Sequence, residues 1–411
     1  MKQSFFLVGG FLLGFTLLGA GCSARLSSSE PSADKQVYRA PTSASDVSTA
    51  SSTTPVNASA SRLLSLEGTL PHLGRTTVFL TLGEERIMGQ YEAVNRSGAI
   101  YGMVSTTQAN PVEFSFYLAD EEAVQFRGSY DDATGKILGT AVYIGDMKEQ
   151  SVTLLPRLEA EGAQIELKKI EQRKELARGV SCHTMLEYPV IQASSYIPAE
   201  RATELNRQIR QFLGETSTTT LEGLVETSQK ECIELQSEFA TDTGTSDEPS
   251  GINDYEYETI TLVTRNERGL LSFVYSTYFY TGGAHPNSVT ASQVFDLATG
   301  KALTLTDLVR SDALETWIQR EQRELLKTEQ GEWLFEPETA KKIANGTLKG
   351  EAASSTAAYS SKDQWYLSKN TLVRYYQSYE IAPYAAGMPS TELPFSAWRD
   401  LAVPGVDRWF R

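Results

Sequence analysis

The stretch Phe279-Tyr280-Thr281-Gly282-Gly283-Ala284-His285-Pro286-Asn287 is the point from which this chain is best read. Paired glycines after an aromatic strand admit backbone angles closed to other residues, and Pro286 then fixes φ and removes an amide donor. Such a turn holds His285 and Asn287 in one place. Tyr255 to Thr264 and Leu270 to Tyr280 alternate apolar and polar residues across an Asn266-Glu267-Arg268-Gly269 turn, and Val289 to Phe295 follows as a third strand. The turn therefore predicts a corner of an antiparallel sheet.

Downstream, Asp312 to Lys327 has helical spacing, with Leu314, Trp317, Ile318 and Leu325 inward and Asp312 as the N-cap. Thr339 to Asn345 reads as a further helix stopped at Gly346. Strands are expected near Trp365 to Leu367 and Leu372 to Ser378. Mixed elements of this kind predict an α+β fold with packed helices on an antiparallel sheet.

Upstream, the period from Ile165 to Phe239 reads as about 3.6, which predicts helical structure. Ala202, Leu205, Ile209, Phe212 and Leu213 form one face, with Pro198 at its first turn and Gly214 at its stop. Leu221, Leu224, Val225, Cys232, Leu235 and Phe239 form a second stripe, which turns Cys232 inward. Ala240 to Asn253 is a polar loop and a candidate boundary.

From Leu63 to about Val152 the pattern changes to short alternating runs. Thr77 to Leu82, Arg86 to Tyr91, Glu113 to Leu118 and Val124 to Gly128 are examples, punctuated by Gly and Asn clusters. This predicts a small antiparallel β domain, a sandwich or a barrel. The expected organisation is thus 62–160 all-β, 161–250 a small α+β domain, and 251–411 a larger α+β domain.

At the N-terminus, Lys2 precedes an apolar run from Phe5 to Ala20 that is short for a membrane span and has the layout of a secretory signal. Leu18-Gly19-Ala20-Gly21-Cys22 resembles a bacterial lipobox, although Gly19 stands where the pattern has Leu. That resemblance implies a signal over 1–21 and a diacylated Cys22, and so a lipid-anchored protein of the cell envelope. It would face the periplasm or the exterior, on the outer membrane in a Gram-negative cell. Residues 22–61, rich in Ser, Thr, Ala and Pro, have no apolar period and read as a disordered tether. Its reach is roughly 35 Å for a flexible chain of this length.

The formal net charge is −15, from 52 acidic against 37 basic residues. Such a balance disfavours nucleic acid and speeds encounter with a basic partner, as well as simply keeping the protein soluble. Besides Cys22 there are only Cys182 and Cys232. In an oxidising compartment they read as one disulfide, with two separate thiols as the alternative. Neither cysteines nor histidines show metal-ligand spacing, and no cofactor is expected.

Val294-Phe295-Asp296-Leu297-Ala298-Thr299-Gly300-Lys301, Leu303 to Leu308, and Tyr379-Glu380-Ile381-Ala382-Pro383-Tyr384-Ala385-Ala386-Gly387 follow the Gly-Gly turn in order. Together, over about 255–402, they resemble the extracellular domain shared by RsiV anti-sigma factors and the non-catalytic part of PdaC peptidoglycan deacetylases. Tyr188-Pro189-Val190-Ile191 and the helix after it resemble the smaller domain that precedes it there. The deacetylase family's metal-dependent catalytic domain has no counterpart in this chain. The anti-sigma resemblance implies a ligand such as lysozyme, a basic protein.

Of the three histidines, His72, His183 and His285, only His285 sits in a suggestive context. No nucleophile elbow or phosphate-binding glycine pattern stands out. Tyr280, Gly282, Gly283, His285, Asn287, Tyr379 and Tyr384 are the candidate ligand-binding residues or, alternatively, a structural corner. Three functions follow: a non-catalytic binder of a basic protein, a peptidoglycan- or glycan-binding accessory protein using Tyr278, Tyr280, Tyr379 and Tyr384, or a wall hydrolase using His285 with carboxylates.

Overall fold

The computed structural model describes residues 62–83, 86–93, 97–106, 112–119, 124–143, 147–157, 161–176, 181–242, 254–281 and 285–410. The expected signal, Cys22, the tether, Gly282, Gly283 and residues 243–253 of the polar loop lie outside them.

Eight strands come first: β1 Arg62–Leu70, β2 Gly74–Leu82, β3 Arg86–Glu92, β4 Ser97–Thr106, β5 Val112–Ala119, β6 Val124–Asp131, β7 Lys136–Tyr143 and β8 Glu149–Pro156. Each pairs antiparallel with the next, and β8 returns to β1, so the all-β domain is a closed barrel rather than a sandwich. Alternate side chains point inward and fill it, as an eight-stranded barrel permits. Phe114, Phe116 and Phe126 stack at its centre, with Phe116 and Phe126 4.7 Å apart. The seam is short: Leu66, Glu67 and Gly68 meet Pro156, Leu155 and Leu154. A Cβ on Gly68 would lie 2.5 Å from the Thr153 carbonyl oxygen, so glycine is what lets β8 close on β1.

A six-stranded sheet follows, built from β9 Gln164–Glu175, β10 Ser181–Gln192, β11 Asp254–Glu267, β12 Leu270–Tyr280, β13 Asn287–Asp296 and β14 Lys301–Ala302. Their order is β14-β13-β12-β11-β10-β9. All pairs are antiparallel except β10 with β11, which is parallel and is bridged by two helices, α1 Ala199–Phe212 and α2 Leu221–Asp242. A parallel pair requires such a crossover. The helices bury Leu205, Ile209, Leu221 and Val225 against Leu271, Phe273 and Tyr275 on one sheet face. The β11–β12 connection is a two-residue turn with φ of 53° at Arg268 and 74° at Gly269, the mirror-image turn that suits a twisted hairpin.

The helical period expected from Ile165 onward is corrected here, because residues 164–175 and 181–192 are strands. The Lys- and Glu-rich sequence of β9 favours helix locally, but its full-length pairing with β10 outweighs that preference. Pro189 is tolerated inside β10 because the β11 ladder ends at Leu186, leaving one edge free of backbone pairing. The expected division at residue 250 lies outside the described residues, and the strands on either side of it belong to one sheet.

The C-terminal lobe contains α3 Leu305–Leu308, α4 Leu314–Leu325, α5 Pro337–Ala344, α6 Ala357–Ser360 and α7 Phe395–Trp398. Its small antiparallel sheet consists of β15 Trp365–Leu367, β16 Thr371–Tyr375 and β17 Ser390–Pro394. Asp312 is not the N-cap of α4: a 3-10 turn over Ser311–Ala313 precedes the helix, and Asp312 faces Arg310 in solvent instead. Trp317, Ile318 and Leu325 are buried as expected. At the lobe's centre Arg374 donates to Glu321 at 3.1 Å, both fully buried, while Thr391 donates to the same carboxylate at 2.8 Å. Arg374 also lies over the Trp317 and Tyr376 rings. Its charge is thus paired, hydrogen-bonded and shielded, the conditions under which a buried ion is tolerated.

The barrel is tied to the sheet. Arg86 of β3 pairs with Glu258 of β11 at 2.9 Å, Arg157 pairs with Glu267, and the Asn266 amide makes two bonds to the Ala163 backbone.

Candidate functional site

The segment after β16 is fastened to the edge of β13 by one side chain. Gln377 donates to the Thr290 carbonyl at 2.7 Å and accepts from the Thr290 amide at 3.0 Å, as a neighbouring strand would. Glu380 caps the same turn by accepting from the Gln377 amide at 2.8 Å, and burial pushes its carboxyl above the ordinary range. Between them Tyr379 takes a left-handed φ of 65° and projects into solvent, 52% exposed. That conformation is costly for a residue with a Cβ.

The consequence is a cluster of rings from two distant parts of the chain. His285 stacks on Tyr384 with centroids 4.0 Å apart and planes 18° from parallel. Tyr379 lies 5.8 Å from Tyr384, and its hydroxyl is 3.1 Å from His285 Nε2. His285 Nδ1 lies 2.9 Å from the Pro286 carbonyl, which can only accept, so Nδ1 donates there while Nε2 hydrogen-bonds the Tyr379 hydroxyl. Both ring nitrogens are therefore committed to protein partners.

Of the sequence candidates, the structure brings together His285, Tyr379 and Tyr384. Asn287 opens β13, paired with Phe279, and Tyr280 pairs with Glu256 at the end of β12. Tyr278 lies two residues before Tyr280 on the same face of β12, paired with Glu258 and Ser288. Burial above all, and then the Glu256 and Glu258 carboxylates, push its phenol up.

One feature was missed from the sequence. His183 on β10 lies between two carboxylates of the neighbouring strands: Glu171 at 2.7 Å from Nε2 and Glu258 at 3.1 Å from Nδ1. Those hydrogen bonds push the imidazole up to about 9, and the bond from His183 pulls Glu171 down to about 2. Lys169 and Arg86 complete the network from β9 and the barrel. The signal was charge of opposite sign on one face of three strands, visible only once their pairing is known. Cys182 on β10 and Cys232 on α2 form a disulfide, with Cys182 fully buried. Among the described residues no group of three or more His, Cys, Asp or Glu is placed to hold a metal ion.

Two family models match the chain. Residues 180–288 match the one described as Deacetylase PdaC, and residues 306–396 match the one described as Protein of unknown function (DUF3298). The resemblance read from the sequence is borne out. The match to PdaC falls on the non-catalytic part of that family, so residues 180–288 are similar to PdaC and residues 306–396 to DUF3298. His285 belongs to the first and Tyr379 and Tyr384 to the second, so the ring cluster spans both. Among solved structures, a DUF3298 family member from Bacteroides fragilis is 18% identical, with TM-score 0.46, over 62% of this chain and 98% of that one. A DUF3298 family protein from Pseudomonas aeruginosa is 16% identical, with TM-score 0.38, over 60% and 98%. No curated protein matches the chain.

Proposed function

We propose that this protein is a non-catalytic, lipid-anchored binding protein of the cell envelope, and that its DUF3298 end engages a basic, envelope-directed protein such as lysozyme. One observation carries the reading: His285, Tyr379 and Tyr384 meet in a stack whose outermost ring is held in solvent by a strained backbone. Strain kept at an exposed aromatic points to use of that ring, since a purely structural corner has no need of it. The net charge of −15 suits a cationic ligand and predicts salt-sensitive association. Both nitrogens of His285 are occupied, which favours a binding role for the ring over proton transfer. The test is titration of the full chain in detergent with lysozyme at low and moderate salt. Binding that weakens with salt, together with protection from wall lysis, supports the reading; absence of both removes it.

A second reading, peptidoglycan or glycan binding, is favoured by the near-parallel rings, which offer the flat faces that sugar C–H groups pack against. Retention on insoluble peptidoglycan in the absence of lysozyme would select it.

A further inference from the structure

Resting on the binding reading above, we propose that the loop Glu329-Gln330-Gly331-Glu332-Trp333-Leu334-Phe335-Glu336-Pro337-Glu338 is a second docking element, continuous with the Tyr379 stack, for a protein surface rich in Lys and Arg. Trp333 is 50% and Phe335 56% exposed, comparable to Tyr379 at 52%. These aromatics lie on two loops joined by a backbone bond from the Phe335 amide to the Ile381 carbonyl at 2.8 Å, two residues beyond Tyr379. Single exposed apolar residues are ordinary, but Trp, Phe and Tyr gathered on adjoining loops are the composition of an interface centre.

The loop is also held in place. Gln330 accepts from the Ser390 amide at 3.1 Å, and Thr328 accepts from the Gly331 amide at 3.1 Å while donating to Leu325. A rigid backbone that leaves two large aromatics in water is preorganised for a partner and avoids much of the ordering cost of binding.

Charge selects the partner. The ten residues carry four carboxylates and no Lys or Arg. Glu338 pairs with Lys341, whereas Glu329, Glu332 and Glu336 are exposed and make no ion pair among the described residues. Aromatic anchors rimmed by unpaired carboxylates complement a surface of guanidinium and ammonium groups, which can both pair with the acids and stack on the rings.

The experiment titrates lysozyme, with a deca-arginine peptide as the charge-only probe, into the full chain and into three variants: W333A/F335A, E332Q/E336Q and Tyr379→Ala. Loss of about tenfold in lysozyme affinity for W333A/F335A is expected from an aromatic anchor pair. A shallower salt dependence is expected for E332Q/E336Q, with the melting temperature unchanged in both. If Tyr379→Ala weakens binding while both loop variants match the wild type, the loop is overturned and the stack reading stands. If the wild type holds lysozyme no better than deca-arginine, both fall. Self-association abolished by W333A/F335A, with lysozyme binding intact, would assign the loop to a second copy of this chain and overturn the proposal.

Discussion

Tyr379 sits at a backbone angle that glycine would occupy more cheaply, and this separates its two possible roles. Tyr379→Gly removes a left-handed penalty of about 1 kcal/mol but adds chain entropy and loses the bond to His285, so stability by thermal melting should stay within about 1 kcal/mol of wild type. Ligand binding should nevertheless be lost. His183 makes a prediction of another kind. Its pKa is raised from 6.5 to about 9, so its contribution is complete below pH 6.5 and disappears as pH rises through 9. Glu171 is depressed from 4.5 to about 2, so its contribution is present above pH 4.5 and disappears as pH falls through 2. Urea midpoints should therefore be flat between about pH 4.5 and 6.5 and fall above it, and His183→Gln should abolish most of that alkaline fall. The reading of sequence reached His285, Tyr379 and Tyr384 as separate candidates. Their meeting depends on Gln377 gripping Thr290 across 87 residues, which no local pattern records.

At the scale of elements, hairpins were the most legible feature. β11, β12 and β13 follow alternation with a definite turn between the first two, and the barrel strands were visible for the same reason. β9 was not, because its charged residues favour helix in isolation and only pairing with β10 makes it a strand. The disulfide clamps β10 to α2 across a separation of 50 residues. Replacing both cysteines by serine should cost about 4 kcal/mol on the loop-entropy scale, read from denaturant midpoints with and without reductant. Gly68→Val should prevent closure of the β1–β8 seam, where a Cβ meets a carbonyl, and show as early loss of barrel structure on heating.

At the scale of the molecule, a packed barrel, a helix-covered sheet and a C-terminal lobe form one compact unit from the described residues between 62 and 410. The barrel's interior is filled by side chains, so its contribution lies in its outer surface and in the Arg86 and Arg157 bridges to the sheet. The ring cluster occupies the corner where β12 and β13 meet the segment after β16, and the stretches that match the PdaC and DUF3298 models each supply part of it. The most direct measurement is the lysozyme dissociation constant of the full chain against that of Tyr379→Ala/Tyr384→Ala, by calorimetry at low salt, with circular dichroism confirming an unchanged fold. Binding at least about tenfold weaker in the double variant is expected of an aromatic anchor; equal affinities in the two proteins would show that the stack is only a structural corner.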